Sequence, residues 1–130
     1  MWNIYTVYQT VFSCVVGVGK GALEPMFALV VQIKKPRDLA RFEDYFWRVH
    51  LPLAKTIPGL RKITIHRILE ARGGDRDLYG LAELYFDDQT AFEKAMASPE
   101  AKHAIQDGSK LEKEAGTTMS FDYYCQTRDA

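Results

Sequence analysis

Between two short apolar runs, Phe27 to Ile33 (FALVVQI) and Leu60 to Leu69 (LRKITIHRIL), the chain carries a stripe of a different period. Leu39, Phe42, Phe46, Val49 and Leu53 recur at steps of three and four, which a helix of about 3.6 residues per turn gathers on one side. The flanking runs fit strands: the first is continuous and valine-rich, and the second alternates Ile63 and Ile65 with Lys62, Thr64 and His66. Strand, helix, strand is thus the opening order, and the stripe must lie on the sheet. Asp38 stands where an N-cap carboxylate would accept from the free amides of the first turn, so the helix starts near Leu39. Pro52 cannot donate a backbone hydrogen bond and crowds the Arg48 carbonyl, which places a kink or a helix end beside His50. At about 100° per residue, His50 falls on one margin of the stripe and Tyr45 on the other. Pro58-Gly59 closes the segment.

The remaining patterns complete a unit. After the glycine-centred loop from Ala71 to Arg76, Leu78 to Phe86 (LYGLAELYF) reads as a strand that forms a hairpin with the preceding one. Asp87-Asp88 caps a helix carrying Phe92, Ala95 and Met96, and Ser98-Pro99-Glu100 starts another, with Ala101, Ala104 and Ile105 inward and Gly108 or Gly116 as its end. Thr117 to Gln126 alternates Met119, Phe121, Tyr123 and Cys125 against Ser120, Asp122, Tyr124 and Gln126, the pattern of a last strand. The order βαββαβ implies an α+β, ferredoxin-like fold: a four-stranded antiparallel sheet with its helices on one face. Apolar side chains occur on both strand faces, so the uncovered face calls for a partner. Face-to-face pairing of two copies, a homodimeric α+β barrel, is the simplest cover.

Composition narrows the function classes. Lysine plus arginine and aspartate plus glutamate number 17 each, so no overall field favours nucleic acid or an anionic membrane. Cys14 and Cys125 stand far apart without a CxxC, which points to a reducing compartment, read as the cytoplasm, and away from a disulfide framework. Residues 1–25 differ from the rest, being rich in aromatic, valine and glycine residues and uncharged before Lys20. They lack the basic flank of a secretory signal, and their apolar run is interrupted and too short to span a bilayer. Gly17, Gly19 and Gly21 do not have the spacing of a nucleotide loop. The reading is an N-terminal extension of unknown role, a domain over residues 26–126, and a C-terminal tail over residues 127–130.

Lys35-Pro36 and Asp38, Phe42 to Tyr45, His50-Leu51-Pro52-Leu53, Pro58-Gly59-Leu60, Glu83 to Asp87, Phe92, Ser98-Pro99-Glu100 and Asp107 together resemble the EthD family of the dimeric α+β barrel superfamily. The resemblance covers Met26 to Gln126. It implies the ferredoxin-like fold, barrel dimers and a small hydrophobic ligand. In the wider superfamily stand muconolactone isomerases, cofactor-free quinone-forming monooxygenases and haem-handling proteins. Some fungal members of the family are associated with dehydration of polyketide intermediates.

Among candidate residues His50 leads, because an imidazole beside an apolar helix face can exchange a proton with a ligand held between helix and sheet. The bland alternative is a histidine bonded to a carbonyl near the kink. The resemblance adds Asp107, as an orienter of the imidazole or a second acid or base. Tyr45 is the third catalytic candidate; it, Tyr85 and Tyr123 could donate to a carbonyl or phenol oxygen, although strand aromatics are more often core. Phe46, Val49, Leu53, Tyr85 and, secondarily, His66 are the expected ligand contacts. His103 and Asp107 lie one helical turn apart, a spacing that suits a metal pair but more commonly marks a surface ion pair, and no metal set is complete. The first functional reading is a cofactor-independent dehydratase, isomerase or lyase acting on a small aromatic or polyketide-like compound, in a degradation or secondary-metabolite pathway. The second is a non-catalytic binding or accessory module supporting a partner oxygenase, and a haem-binding relative ranks third.

Overall fold

The computed structural model describes residues 25–130. The expectations for the N-terminal extension lie outside the described residues except at Pro25. Four strands, β1 (Met26–Lys34), β2 (Lys62–Arg67), β3 (Leu78–Phe86) and β4 (Met119–Thr127), form one antiparallel sheet in the order β2-β3-β1-β4. The valine-rich β1 takes a central place, as its near-continuous apolar run requires, and β2 and β4 are the edges. Phe27, Leu29, Val31 and Ile33 of β1 pair across the ladder with Phe86, Leu84, Ala82 and Gly80 of β3, and these residues share the face covered by helices.

The helices are α1 (Leu39–Tyr45), α2 (Leu51–Ala54), α3 (Gln89–Met96) and α4 (Pro99–Ala115). Asp38, Asp88 and Ser98 cap α1, α3 and α4, each side chain accepting from the amide three residues on. Helix α4 runs through Gly108 and stops at Gly116, whose φ of 69° is the left-handed turn that glycine adopts without strain. Phe42, Phe46, Leu51, Leu111 and Ala115 close one end of the core, and Phe86, Phe92, Ala95 and Ala101 the other.

Two irregularities alter the faces that regular periods predict. Residues Phe46–His50 form a π-helical turn between α1 and α2, with the Leu51 amide donating to the Phe46 carbonyl five residues back. The wider turn makes room for the Pro52 ring against the preceding carbonyls, so the chain neither kinks sharply nor ends at His50. It also inserts a step of five into the stripe: after Phe42 and Phe46 the buried positions are Leu51 and Ala54, while Val49 and Leu53 are half-buried and Leu39 is exposed. In β4 the pairing slips between Val30 and Val31 of β1, which face Tyr123 and Phe121, so Asp122 is the extra residue of a β-bulge. Alternation therefore reverses there. Met119 and Phe121 lie on the helix side, and beyond the bulge it is Tyr124, not Tyr123, that packs on Phe27 and Phe92.

Candidate functional site

A cavity of about 130 Å³ lies between the helix layer and the sheet. That is the size that holds a single aromatic ring, to judge from apolar cavities of about 150 Å³ that bind benzene. Leu29, Val31 and Ile33 of β1 floor it, Leu51 and Ala54 of α2 wall one side, and Met119 of β4 another. Ile105, Ser109 and Phe121 also line it and are exposed, so they mark its open side between α4 and the edge strand β4.

His50, the last residue of the π turn, lines this cavity. Its Nδ1 lies 3.0 Å from Oδ2 of Asp107 on α4, and the hydroxyl of Tyr45 donates to the other carboxylate oxygen, Oδ1, at 2.5 Å. His50 and Asp107 have side-chain exposures of 15% and 10%, so solvent barely competes for the pair. Since a carboxylate only accepts, the contact puts a proton on Nδ1, and in the neutral ring the lone pair then lies on Nε2. The ring stacks on Phe46 with centroids 5.8 Å apart. Its place against α4 depends on an absence: a Cβ added at Gly108 would meet His50 Cε1 at 3.2 Å and the Met119 methyl at 3.3 Å. Glycine at that helical position lets the imidazole lie against α4.

Tyr45 is therefore a partner of Asp107 rather than a donor to a ligand. The hydrogen bond to Asp107, with burial and the charge of that carboxylate, pushes the Tyr45 hydroxyl up to about 12, which keeps it a donor at neutral pH. Together the three residues tie α1 and the π turn to α4 through side chains that meet at one carboxylate. The arrangement can do one thing plainly: present an oriented imidazole nitrogen to whatever enters an apolar cavity.

Phe46 lines the cavity, but Val49 and Leu53 do not, because the π turn shifts the inward positions to Leu51 and Ala54. Tyr85 and His66 are elsewhere too. Both lie on strand positions of the face opposite the helices, where Tyr85 donates to Glu83 Oε1 at 3.0 Å and His66 Nε2 approaches the same oxygen at 2.7 Å. Strand parity decides this: the neighbours Leu84 and Ile65 point to the helices, so Tyr85 and His66 cannot. His103 is exposed on α4, and Asp107 turns to His50 instead. Among the described residues no group of three or more His, Cys, Asp and Glu is arranged to hold a metal ion.

Sequence reasoning missed Leu51, Ala54, Gly108, Ser109 and Glu112 as lining residues. Gly108 carried a readable signal. A glycine inside a helix costs about 1 kcal/mol relative to alanine, so one directly after a candidate orienting aspartate suggests close packing wherever the helix runs on past it, which the sequence left open.

Comparison with known proteins bears on the family and the fold. A profile of the EthD domain matches residues 34–113, which span the π turn, His50 and Asp107. An uncharacterised 11.0 kDa protein encoded in the thcB-thcC intergenic region of Rhodococcus erythropolis is 29% identical over 96 residues, covering 74% of this chain and 92% of that protein. The crystal structure of an ethyl tert-butyl ether degradation (EthD) family protein from Bacillus halodurans superposes with a TM-score of 0.64 at 30% identity, over 75% of this chain and 97% of that one. SnoaB, a cofactor-independent oxygenase from Streptomyces nogalater, shares the fold with a TM-score of 0.55 at 20% identity, over 82% of this chain and 96% of its own. With the profile match spanning more than half its length, the chain belongs to the EthD family.

Proposed function

We propose that the protein is an enzyme working without a cofactor, of the dehydratase, isomerase or lyase type, on a small aromatic or polyketide-like compound in a degradation or secondary-metabolite pathway. The observation that carries this reading is His50, its Nδ1 fixed by Asp107 and its Nε2 left to an apolar cavity of about 130 Å³. Proton removal next to a carbonyl or hydroxyl needs a positioned base and a dry, shaped surround, and both are available from this chain's own residues. Phe46 and Gly108 hold the ring in place, Asp107 selects its tautomer, and Tyr45 holds Asp107.

Among the described residues one sheet face carries no helix, and Val30, Leu81 and Tyr123 stand on it by strand pairing. A second copy seated there is the partner this reading adopts.

The test is a turnover screen of single-ring hydroxylated and β-hydroxycarbonyl compounds, run with wild type and His50→Gln. Glutamine keeps a hydrogen-bonding side chain towards Asp107 but cannot cycle a proton. The expected outcome is an unchanged fold and turnover lower by roughly two to four powers of ten. Equal turnover in both proteins removes His50 from the chemistry. Binding without turnover in either protein supports the non-catalytic carrier or accessory module instead.

A further inference from the structure

The cavity wall carries polar side-chain atoms at only a few places. His50, Ser109 and Glu112 are the lining residues with nitrogen or oxygen in their side chains, and Ser109 lies at the exposed mouth. Glu112 is half-buried. Its Oε2 accepts from the Met119 amide at 2.7 Å, a bond that satisfies the first backbone donor of β4 and holds the carboxylate in place. Its Oε1 has no hydrogen-bond partner among the described residues. In the neutral tautomer that Asp107 selects, the Nε2 of His50 likewise offers a lone pair. Glu112 stands between this cavity and the groove lined by Lys34, Lys35, Arg37 and Lys113, and with a neutral His50 the two fixed polar groups that border the cavity are both acceptors.

Their spacing is set by the helix. Gly108 and Glu112 are four residues apart on α4, and such positions share a face about 5–6 Å apart. The imidazole lies against Gly108. The imidazole and the Glu112 side chain accordingly meet α4 about one helical turn apart, on the scale of a single substituted ring, and the cavity volume is that of one ring. A ligand that brings carbonyl or ether oxygens to these places sets lone pair against lone pair and leaves both acceptors unmatched. A ligand that brings donors matches both.

We propose that the cavity selects a single ring bearing two hydroxyl donors, one directed to Nε2 of His50 and the other to the free carboxylate oxygen of Glu112, which makes Glu112 a specificity-determining residue. The proposal rests on the reading of this cavity as the ligand site and names the class of ligand it takes.

The experiment titrates the full chain, under argon, with 1,4-dihydroxybenzene and 1,3-dihydroxybenzene and with their dimethyl ethers, following the Met119 methyl and His50 ring signals by NMR. At least one diol is expected to bind wild type about tenfold or more tightly than its own ether. In Glu112→Gln the amide oxygen can keep the Met119 contact while the amide nitrogen turns a donor into the cavity. There the ratio is expected to fall to near one or reverse, a change that a purely structural role of Glu112 does not produce. An unaltered ratio in Glu112→Gln, or equal binding of diol and ether to wild type, overturns the proposal and leaves the cavity as a ligand site. If no ring compound moves either signal in wild type, the ligand-site reading itself fails. Should Glu112→Gln not fold, the wild-type complex decides. Nuclear Overhauser contacts from the bound diol to both the His50 ring and the Glu112 methylenes support the proposal, and contacts to only one of them overturn it.

Discussion

At the scale of single residues, two neighbours of His50, one reaching it through Asp107 and the other lying against its ring, make separable forecasts. Tyr45 donates to Asp107, and its hydroxyl titrates near 12 in the fold against 10.0 for a free tyrosine. The folded state therefore holds a proton that the unfolded chain releases between those values. The stability this contributes is fully present below pH 10 and is lost as pH rises towards 12. Tyr45→Phe is expected to cost about 1.5–3 kcal/mol at neutral pH, the range for a hydrogen bond to a charged group. Its urea midpoint should then fall less than that of wild type between pH 10 and 12. The Tyr85 hydroxyl, also raised, by burial and by Glu83, is common to both proteins and cancels in the comparison. Gly108→Ala tests the other contact. Alanine gains about 1 kcal/mol of helix propensity, offset by a Cβ 3.2 Å from the His50 ring. The net stability is expected to stay within about 1 kcal/mol of wild type by denaturant melting, while the His50 ring signals move and any turnover drops about tenfold or more through misplacement of the base. Asp107 was legible as a candidate only through family resemblance, because nothing local shows that a carboxylate 57 residues from His50 will meet it.

At the scale of elements, the π turn is the feature that regular periods could not supply. A stripe at steps of three and four reads as one straight helix, and the single wide turn moves every later position around the axis. The helix, its N-cap and the disturbance at Pro52 were all legible. The form of that disturbance was not, because proline states only that an α-helical bond is missing and leaves open how the chain absorbs the loss. Removing one residue from the turn should restore an α-helical step between Phe46 and Leu51. Trp47 is the suitable residue, being 55% exposed and bonded only within its own helix, to Glu43 at 2.9 Å. Deleting Trp47 is expected to keep Phe42, Phe46, Leu51 and Ala54 in the core, with a melting temperature within several degrees of wild type. His50 should then rotate off Asp107, and the low-field Nδ1 proton of that pair should vanish from the NMR spectrum. Persistence of that proton would show that Asp107, not the π turn, positions the imidazole. The bulge at Asp122 belongs to the same scale: strict alternation assigned Tyr123 the face that Tyr124 occupies, since one extra residue in an edge strand reverses parity without any change of composition.

At the scale of the molecule, the sheet has a helix-covered face that holds the cavity and an opposite face, bearing no helix among the described residues, that carries Val30, Leu81 and Tyr123 beside the His66–Glu83–Tyr85 cluster. Tyr123, 54% exposed on an edge strand, can be changed without opening the core. Wild type is expected to scatter light as a dimer at micromolar concentration and Tyr123→Glu as a monomer with its melting transition retained. A monomeric wild type would remove the second copy from the reading. The order of strands and helices, the three N-caps and the buried character of β1 followed from the sequence alone, because apolar runs, periods of two and 3.6, capping side chains and proline or glycine punctuation act within a few residues of themselves. Whether Tyr85 or Leu84 faces the helices likewise follows once the register is known. What only the tertiary structure decided was the meeting of side chains distant in the chain: the Asp107 carboxylate between Tyr45 and His50, Gly108 beneath the imidazole, and Glu112 across the same cavity. These depend on the phase of α1 through the π turn and on how α4 lies against it, and phase and docking are set by packing over the whole core, which no local pattern of residues records.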